Sequence, residues 1–260
     1  MLHFEKTGNG KETLVLLHGF MENNTIWKDM EKHLSHQFSL LKIDLPGHGK
    51  SEIIAETQTM EMMAEEVNKV LESQNLEHIH LLGHSMGGYV SLAFAEKFPE
   101  KLKSITLFFS TFLEDDPEKK EQRIKSYRII KDAFAHYARA GVQNLFNPNE
   151  RDVLEGKIET ALEIALSTNN LGALASVKGM VERTNKKHIL ENLEAKILIL
   201  AGKHDNAVKT DLLLKSLPDR TNIKSYVLDC GHNGHWEKPS ICAEIINTEL
   251  LHHLPKKLVL

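Results

Sequence analysis

The stretch of this chain best suited to chemistry is Gly83-His84-Ser85-Met86-Gly87, which fits G-x-S-x-G. In that pattern a strand turns sharply into a helix. The serine stands at the apex, and the glycines two residues to either side make room for tightly packed backbone. The context agrees: the apolar run "HIHLLG" precedes the serine and the helical pattern "MGGYVSLAFAEKFP" follows it. Ser85 is therefore a candidate nucleophile. A serine hydroxyl is weak at neutral pH and needs a base within hydrogen-bond reach, itself oriented by an acid. On this architecture the acid and then the histidine follow later in the chain. "LILAGKHDN" puts Asp205 just past one apolar run, and "YVLDCGHNGHWEKP" offers His232 and His235 past the next. His232 directly follows the glycine that ends the run, which places it on the same sheet rim as Ser85 and Asp205. An oxyanion formed by attack on a carbonyl needs backbone N–H donors. Met86, next after the nucleophile, is expected to give one, and Phe20 of "LVLLHGF" the other. His18 and Gly19 would shape that loop, with His18 bonding backbone.

The elements that must hold these residues can be read from the apolar pattern. "TLVLL", "FSLLKIDL", "HIHLLG", "SITLFF", "KILILA" and "SYVLD" are short, continuously apolar runs, the mark of strands covered on both faces. Helical patterns alternate with them. "TMEMMAEEVNKVLESQN" puts Met60, Met63, Val67, Val70 and Leu71 on one face after a Thr59 cap. Alternation of strand and helix predicts a mostly parallel, doubly wound α/β sheet. It is broken once. Residues 111–193 contain no convincing strand, and "DPEKKEQRIKSYRIIKDAFAHYARAG" reads as one helix with a stripe of Ile124, Tyr127, Ile130, Phe134 and Tyr137. "ERDVLEGKIETALEIALST" and "NLGALASVKGMVERT" read as further helices. A structureless loop of this length is implausible. The chain thus divides into a core of 1–110 and 194–260 and an inserted helical lid of 111–193.

Several function classes are disfavoured. With 32 basic and 36 acidic residues the net charge is −4, so neither a nucleic acid nor an anionic membrane is an expected partner. No apolar run reaches the ~20 residues of a membrane span. "MLHFEKTGNG" has no apolar core of a signal peptide. Cys230 and Cys242 read as reduced thiols of a cytoplasmic protein. "GNGKET" lacks the Lys-Ser/Thr of a phosphate loop and reads as a hairpin turn. "PGHGKS" is a strand-exit turn with a structural His48, and "HHLPKK" a solvated tail. His232-x-x-His235 is half a metal site that no spaced acid or cysteine completes. No metal and no cofactor are expected; the expected partner is a small-molecule substrate.

Taken in order, "LLHGF", "IDLPGHGKS", "LLGHSMGG", "LAGKHDNAV" and "CGHNGHWEKP" resemble the α/β-hydrolase family over nearly the whole chain apart from the insertion. The resemblance implies Ser85 as nucleophile, Asp205 as acid, His232 as base, and Phe20 and Met86 as oxyanion donors. His84, His235 and Trp236 are then expected to line the substrate pocket. Three departures stand out. "LHFEKTGNG" looks like the family's second strand, so the first edge strand is expected to be missing. "NAVKT" after Asp205 lacks the proline of many relatives. The histidine is doubled, although Glu237 and Pro239 fit the family pattern with His232 as base. Asp115 and Asp116, in what reads as an exposed helix start, are a second source of the acid. The implied activity is hydrolysis of a carboxylic ester or thioester through an acyl-enzyme. Two alternatives use the same triad: C–C bond hydrolysis, and a lyase like the menaquinone-pathway enzyme whose "GHN" loop looks similar. A non-catalytic ligand-binding protein on the same fold is the alternative of another class.

Overall fold

The computed structural model describes residues 1–34 and 36–251. Its strands are β1 (Phe4–Thr7), β2 (Glu12–Leu17), β3 (Phe38–Ile43), β4 (Ile79–His84), β5 (Leu102–Phe108), β6 (Lys196–Gly202) and β7 (Ile223–Leu228). The helices of the amino-terminal half are α1 (Lys28–Leu34), α2 (Met60–Ser73) and α3 (Met86–Lys97). Between β5 and β6 run α4 (Pro117–Asp132), α5 (Phe134–Val142), α6 (Glu155–Ser167), α7 (Asn170–Glu182) and α8 (Lys187–Asn192). After β6 comes α9 (Thr210–Lys215), and after β7 come α10 (Gly234–Glu237) and α11 (Pro239–Leu250). "HHLPKK" lies outside the described residues.

The seven strands form one sheet in the order β1-β3-β2-β4-β5-β6-β7, parallel except for β1. Right-handed crossovers carry the chain from β2 one way to β3 and back the other way to β4. They put α1 and α2 on opposite faces. In agreement, α1 packs with α11, and α2 packs with α3. β2, β4, β5 and β6 are almost wholly buried, which is why they read as unbroken apolar runs. The Thr59 hydroxyl caps α2 by accepting from Met62 N–H at 3.2 Å.

As expected, no further edge strand precedes the amino-terminal one: β1 is itself the edge of the sheet and its antiparallel member, and among the described residues no strand lies outside it. Two expectations change. "GNGKET" is not a hairpin turn. β1 and β2 are not paired but flank β3, so the connection must cross the end of β3. Gly10 makes this possible: a Cβ there would sit 2.0 Å from the Gln37 carbonyl oxygen. The long helix expected in the insertion is two helices, broken at Ala133 (φ −145°, ψ 46°). Within the first of them Ile124 is off the stripe at 51% exposure, while Ile130 is buried.

Candidate active site

β4 ends at His84 and α3 begins at Met86, so Ser85 is the whole of the turn between them. Its backbone is left-handed (φ 50°, ψ −113°), a strain of about 1–3 kcal/mol that only close packing sustains. That packing is visible. A Cβ on Gly83 would lie 2.1 Å from the Gly87 carbonyl oxygen, and one on Gly88 2.3 Å from Ser110 Oγ. Ser85 N–H donates to Phe108 O at 3.1 Å, and Ser110 Oγ donates to Ser85 O at 2.7 Å.

Asp205 follows β6 and His232 follows β7, as strand-end placement predicts. His232 Nδ1 lies 2.7 Å from Asp205 Oδ2. The other carboxylate oxygen accepts from Ala207 N–H at 2.7 Å and Val208 N–H at 2.9 Å. Burial alone would raise the Asp205 pKa, but the His232 charge and hydrogen bond, with these two N–H groups, hold it below the usual carboxylate value. An ionised Asp205 makes Nδ1–H the donor and leaves Nε2 of His232 free to accept a proton. Asp115, by contrast, is buried rather than exposed and is far from playing this part. It pairs with Arg123 Nε and Arg183 Nη2, both at 2.6 Å. Asp116 is exposed and caps α4 through Lys119 N–H at 2.9 Å.

The loop after β2 is set by its own histidine. His18 Nδ1–H donates to Gly19 O at 2.7 Å, and His18 Nε2 accepts from Leu45 N–H at 2.9 Å. Burial pushes the His18 pKa down, which keeps this neutral tautomer. Because the Gly19–Phe20 peptide is trans, holding its carbonyl toward His18 turns Phe20 N–H away from it. Met86 is the first residue of α3, where a backbone N–H has no partner within the helix.

A cavity of about 420 Å³ joins these parts, with Phe20, Met21, Glu22, His84, Ser85 and His232 on the core side. The insertion supplies Lys119, Arg123, Tyr137, Leu145 and Met180. Of the three residues expected to line a pocket, His84 does so. His235 and Trp236 do not. Trp236 stacks on Phe146 at 5.9 Å, and His235 is wholly buried between Trp27, His84 and Trp236. His48 is structural, buried with a pKa pushed down to about 3 by burial and by His18.

Glu237 entered the sequence reading only as part of the family pattern, without a role, and Glu22 escaped it. Glu237 lies in α10 and accepts from Asn147 N–H at 3.0 Å, Gly231 N–H at 2.9 Å and Asn233 N–H at 3.1 Å. It fastens the His232 loop to the insertion, as does His232 N–H on Leu145 O at 2.7 Å. Its Glu-x-Pro setting was the available signal. Glu22 had none. Its oxygens, with nitrogens of His84 and His235, form a group of potential metal ligands within 4.8 Å of one another. The partner of His235 is thus Glu22 with His84, not His232. Glu22 Oε2 is already engaged by Gly19 N–H at 2.6 Å and His84 Nδ1 at 2.8 Å, so the trio as it stands is a hydrogen-bonded ion pair beside a second imidazole.

Residues 12–239 match the family model of the alpha/beta hydrolase fold. The chain is an α/β hydrolase. Similar sequences include 2-hydroxy-6-oxononadienedioate/2-hydroxy-6-oxononatrienedioate hydrolase 1 of Pseudomonas putida, 26% identical over 91% of this α/β hydrolase and 87% of that protein. The enzyme of the same activity from Escherichia coli K12 is 26% identical over 91% and 86%. Among solved structures, a malate-bound thermophilic esterase from Thermogutta terrifontis superposes with a TM-score of 0.88 at 30% identity, covering 95% of this chain and 91% of that one. The enol-lactonase of Burkholderia xenovorans LB400 superposes with a TM-score of 0.86 over 96% of both chains, but at 18% identity it shows the fold alone. Among the described residues no helix is long and apolar enough to cross a membrane.

Proposed function

We propose that this α/β hydrolase cleaves a carboxylic ester or thioester of a small molecule through a Ser85 acyl-enzyme. The observation that carries the reading is the 2.7 Å contact of His232 Nδ1 with the buried Asp205, beside a cavity that Ser85 and His232 both line. His232 Nε2 takes the Ser85 proton as Oγ attacks the carbonyl. Phe20 and Met86 N–H groups hold the oxyanion. His232 then protonates the leaving group, and a water activated by His232 releases the acid. The insertion of residues 111–193 acts as a lid that walls the cavity from bulk water. Buried, unpaired Cys230 and Cys242 suit a reducing, cytoplasmic setting.

A second reading, C–C bond hydrolysis by the same residues, draws on the relatives whose named substrate is a dioate and on the cations of the cavity. Lys119 Nζ is held by a backbone carbonyl, Ala207 O, at 2.6 Å, and Arg123 shares one carboxylate, Asp115, with Arg183. This wall therefore has spare positive charge for a substrate carboxylate.

Release of p-nitrophenol from short-chain p-nitrophenyl esters tests the first reading. Turnover should vanish with Ser85→Ala and His232→Ala and largely survive His235→Ala. An active protein that keeps its rate without Ser85 would overturn it. An inert protein that instead cleaves a dienedioate C–C bond would favour the second.

A further inference from the structure

Glu22 is a largely buried residue of the cavity wall and takes no part in the acyl-transfer steps above. Its Oε2 is shared by two donors, Gly19 N–H and His84 Nδ1–H. The other ring nitrogen of His84 donates to the backbone carbonyl of His232 at 3.1 Å. Only an imidazolium has both N–H groups that this requires. The electrostatics agree. Burial would raise the Glu22 pKa, but the charge and hydrogen bond of His84 hold it at about 2. Burial would lower the His84 pKa, but Glu22 raises it above its usual value.

The three segments joined in this way carry Phe20, Ser85 and His232. Two of them contain strained backbone directly next to the pair. Met21 (φ 57°) precedes Glu22, and Ser85 (φ 50°) follows His84. Left-handed conformations of non-glycine residues persist only where surrounding structure over-determines them.

We propose that Glu22 and His84 are positioning residues: as a carboxylate–imidazolium pair they lock the oxyanion loop, the nucleophile turn and the base loop into one register. The inference rests on the Ser85–His232–Asp205 reading. It also predicts that glutamine cannot replace Glu22. Without the anion His84 turns neutral and has one N–H. If that proton stays on Nδ1 the link to His232 O is lost; if it moves to Nε2, the atom beside Gly19 N–H must be both a donor to His84 and an acceptor from Gly19, which no amide atom is. Other titratable groups near the pair are His18 on the β2 loop, Asp205 after β6, and His232 and His235 after β7, with ring centroids 5.0 and 4.7 Å from His84. Burial and His84 keep His235 neutral, so Glu22 and Asp205 are the anions that hold the His84 proton.

The test compares the unmodified enzyme with Glu22→Gln on p-nitrophenyl acetate, pH 6 to 9, below the melting transitions of both. We expect kcat to fall about tenfold to a hundredfold, as for a misplacement near 1 Å, with KM changed less than about threefold. We also expect the alkaline decline of kcat to move to lower pH, because His84 loses its anion. The ¹⁵N resonances of the His84 ring in the unmodified enzyme should be those of an imidazolium at pH 7.5; this arm holds even if Glu22→Gln fails to fold. A variant with unchanged kcat and pH profile, or a neutral His84 ring, overturns the inference. If the unmodified protein releases no p-nitrophenol, or Ser85→Ala releases it equally well, it is the underlying serine reading that fails.

Discussion

Asp205 accepts three hydrogen bonds, from His232, Ala207 and Val208, and its side chain is wholly buried. Asp205→Asn preserves its size but sets an amide against His232 Nδ1–H or forces the other tautomer, which strips Nε2 of its basicity. A fall in kcat of about 10³–10⁴ is expected in steady-state ester hydrolysis, with KM nearly unchanged. Glu22 and His84 offer a stability prediction whose sign can be worked out. Glu22 has a depressed folded pKa, so its contribution is present above its unfolded value and lost as pH falls toward about 2. His84 has a raised folded pKa, so its contribution is present below its unfolded value and lost as pH rises through the folded one. The pair therefore stabilises most between about pH 4.5 and 6.5. The Tm difference between the unmodified protein and Glu22→Gln should peak there and shrink toward both pH 3 and pH 9. A difference that is flat with pH would mean that the pair is not ionised.

At the scale of elements, the loop after β7 depends on Glu237. Its three buried N–H donors would lose their acceptor in Glu237→Ala, at a cost of about 3 kcal/mol or more. Thermal unfolding should show Tm lowered by about 5–10 °C, with ester turnover reduced as His232 loses its seat; an unchanged Tm would show that water replaces the carboxylate without loss. How much of this was legible in the sequence follows from the range of the interactions. Strands such as Lys196–Gly202 announce themselves because burial on both faces demands unbroken apolar runs, and strand-end placement then brings Asp205 and His232 together. The pairing of β1 with β3 is not local, so the Gly8–Lys11 connection passed for a hairpin. Asp115 passed for a surface residue because one of its arginines, Arg183, lies 68 positions away. Glu22 carries no motif at all. Its importance comes from His84 and Gly19, which fold beside it.

At the scale of the whole molecule, the cavity lies where the rim of the sheet meets the insertion, and the two sides differ in charge. On the core side Glu22 is matched by His84, and Asp205 by His232. On the insertion side Asp115 is outnumbered by Arg123, Arg183 and Lys119. A half-buried cation without a counter-charge favours an anionic ligand, because each hydrogen bond to a charged group contributes about 1.5–3 kcal/mol. The enzyme should therefore prefer an aryl hemisuccinate, which carries a free carboxylate, to the neutral butyrate of the same phenol. The contrast in kcat/KM should fall about tenfold in Lys119→Gln or Arg123→Gln, while the rate on the neutral ester stays within about threefold, since neither residue touches the Ser85–His232–Asp205 group. Arg123→Gln leaves Asp115 paired with Arg183, so the fold has no newly unpaired buried carboxylate to accommodate. If both esters lose rate equally in these variants, Lys119 and Arg123 shape the cavity without reading charge, and the substrate class must be sought among neutral acyl compounds.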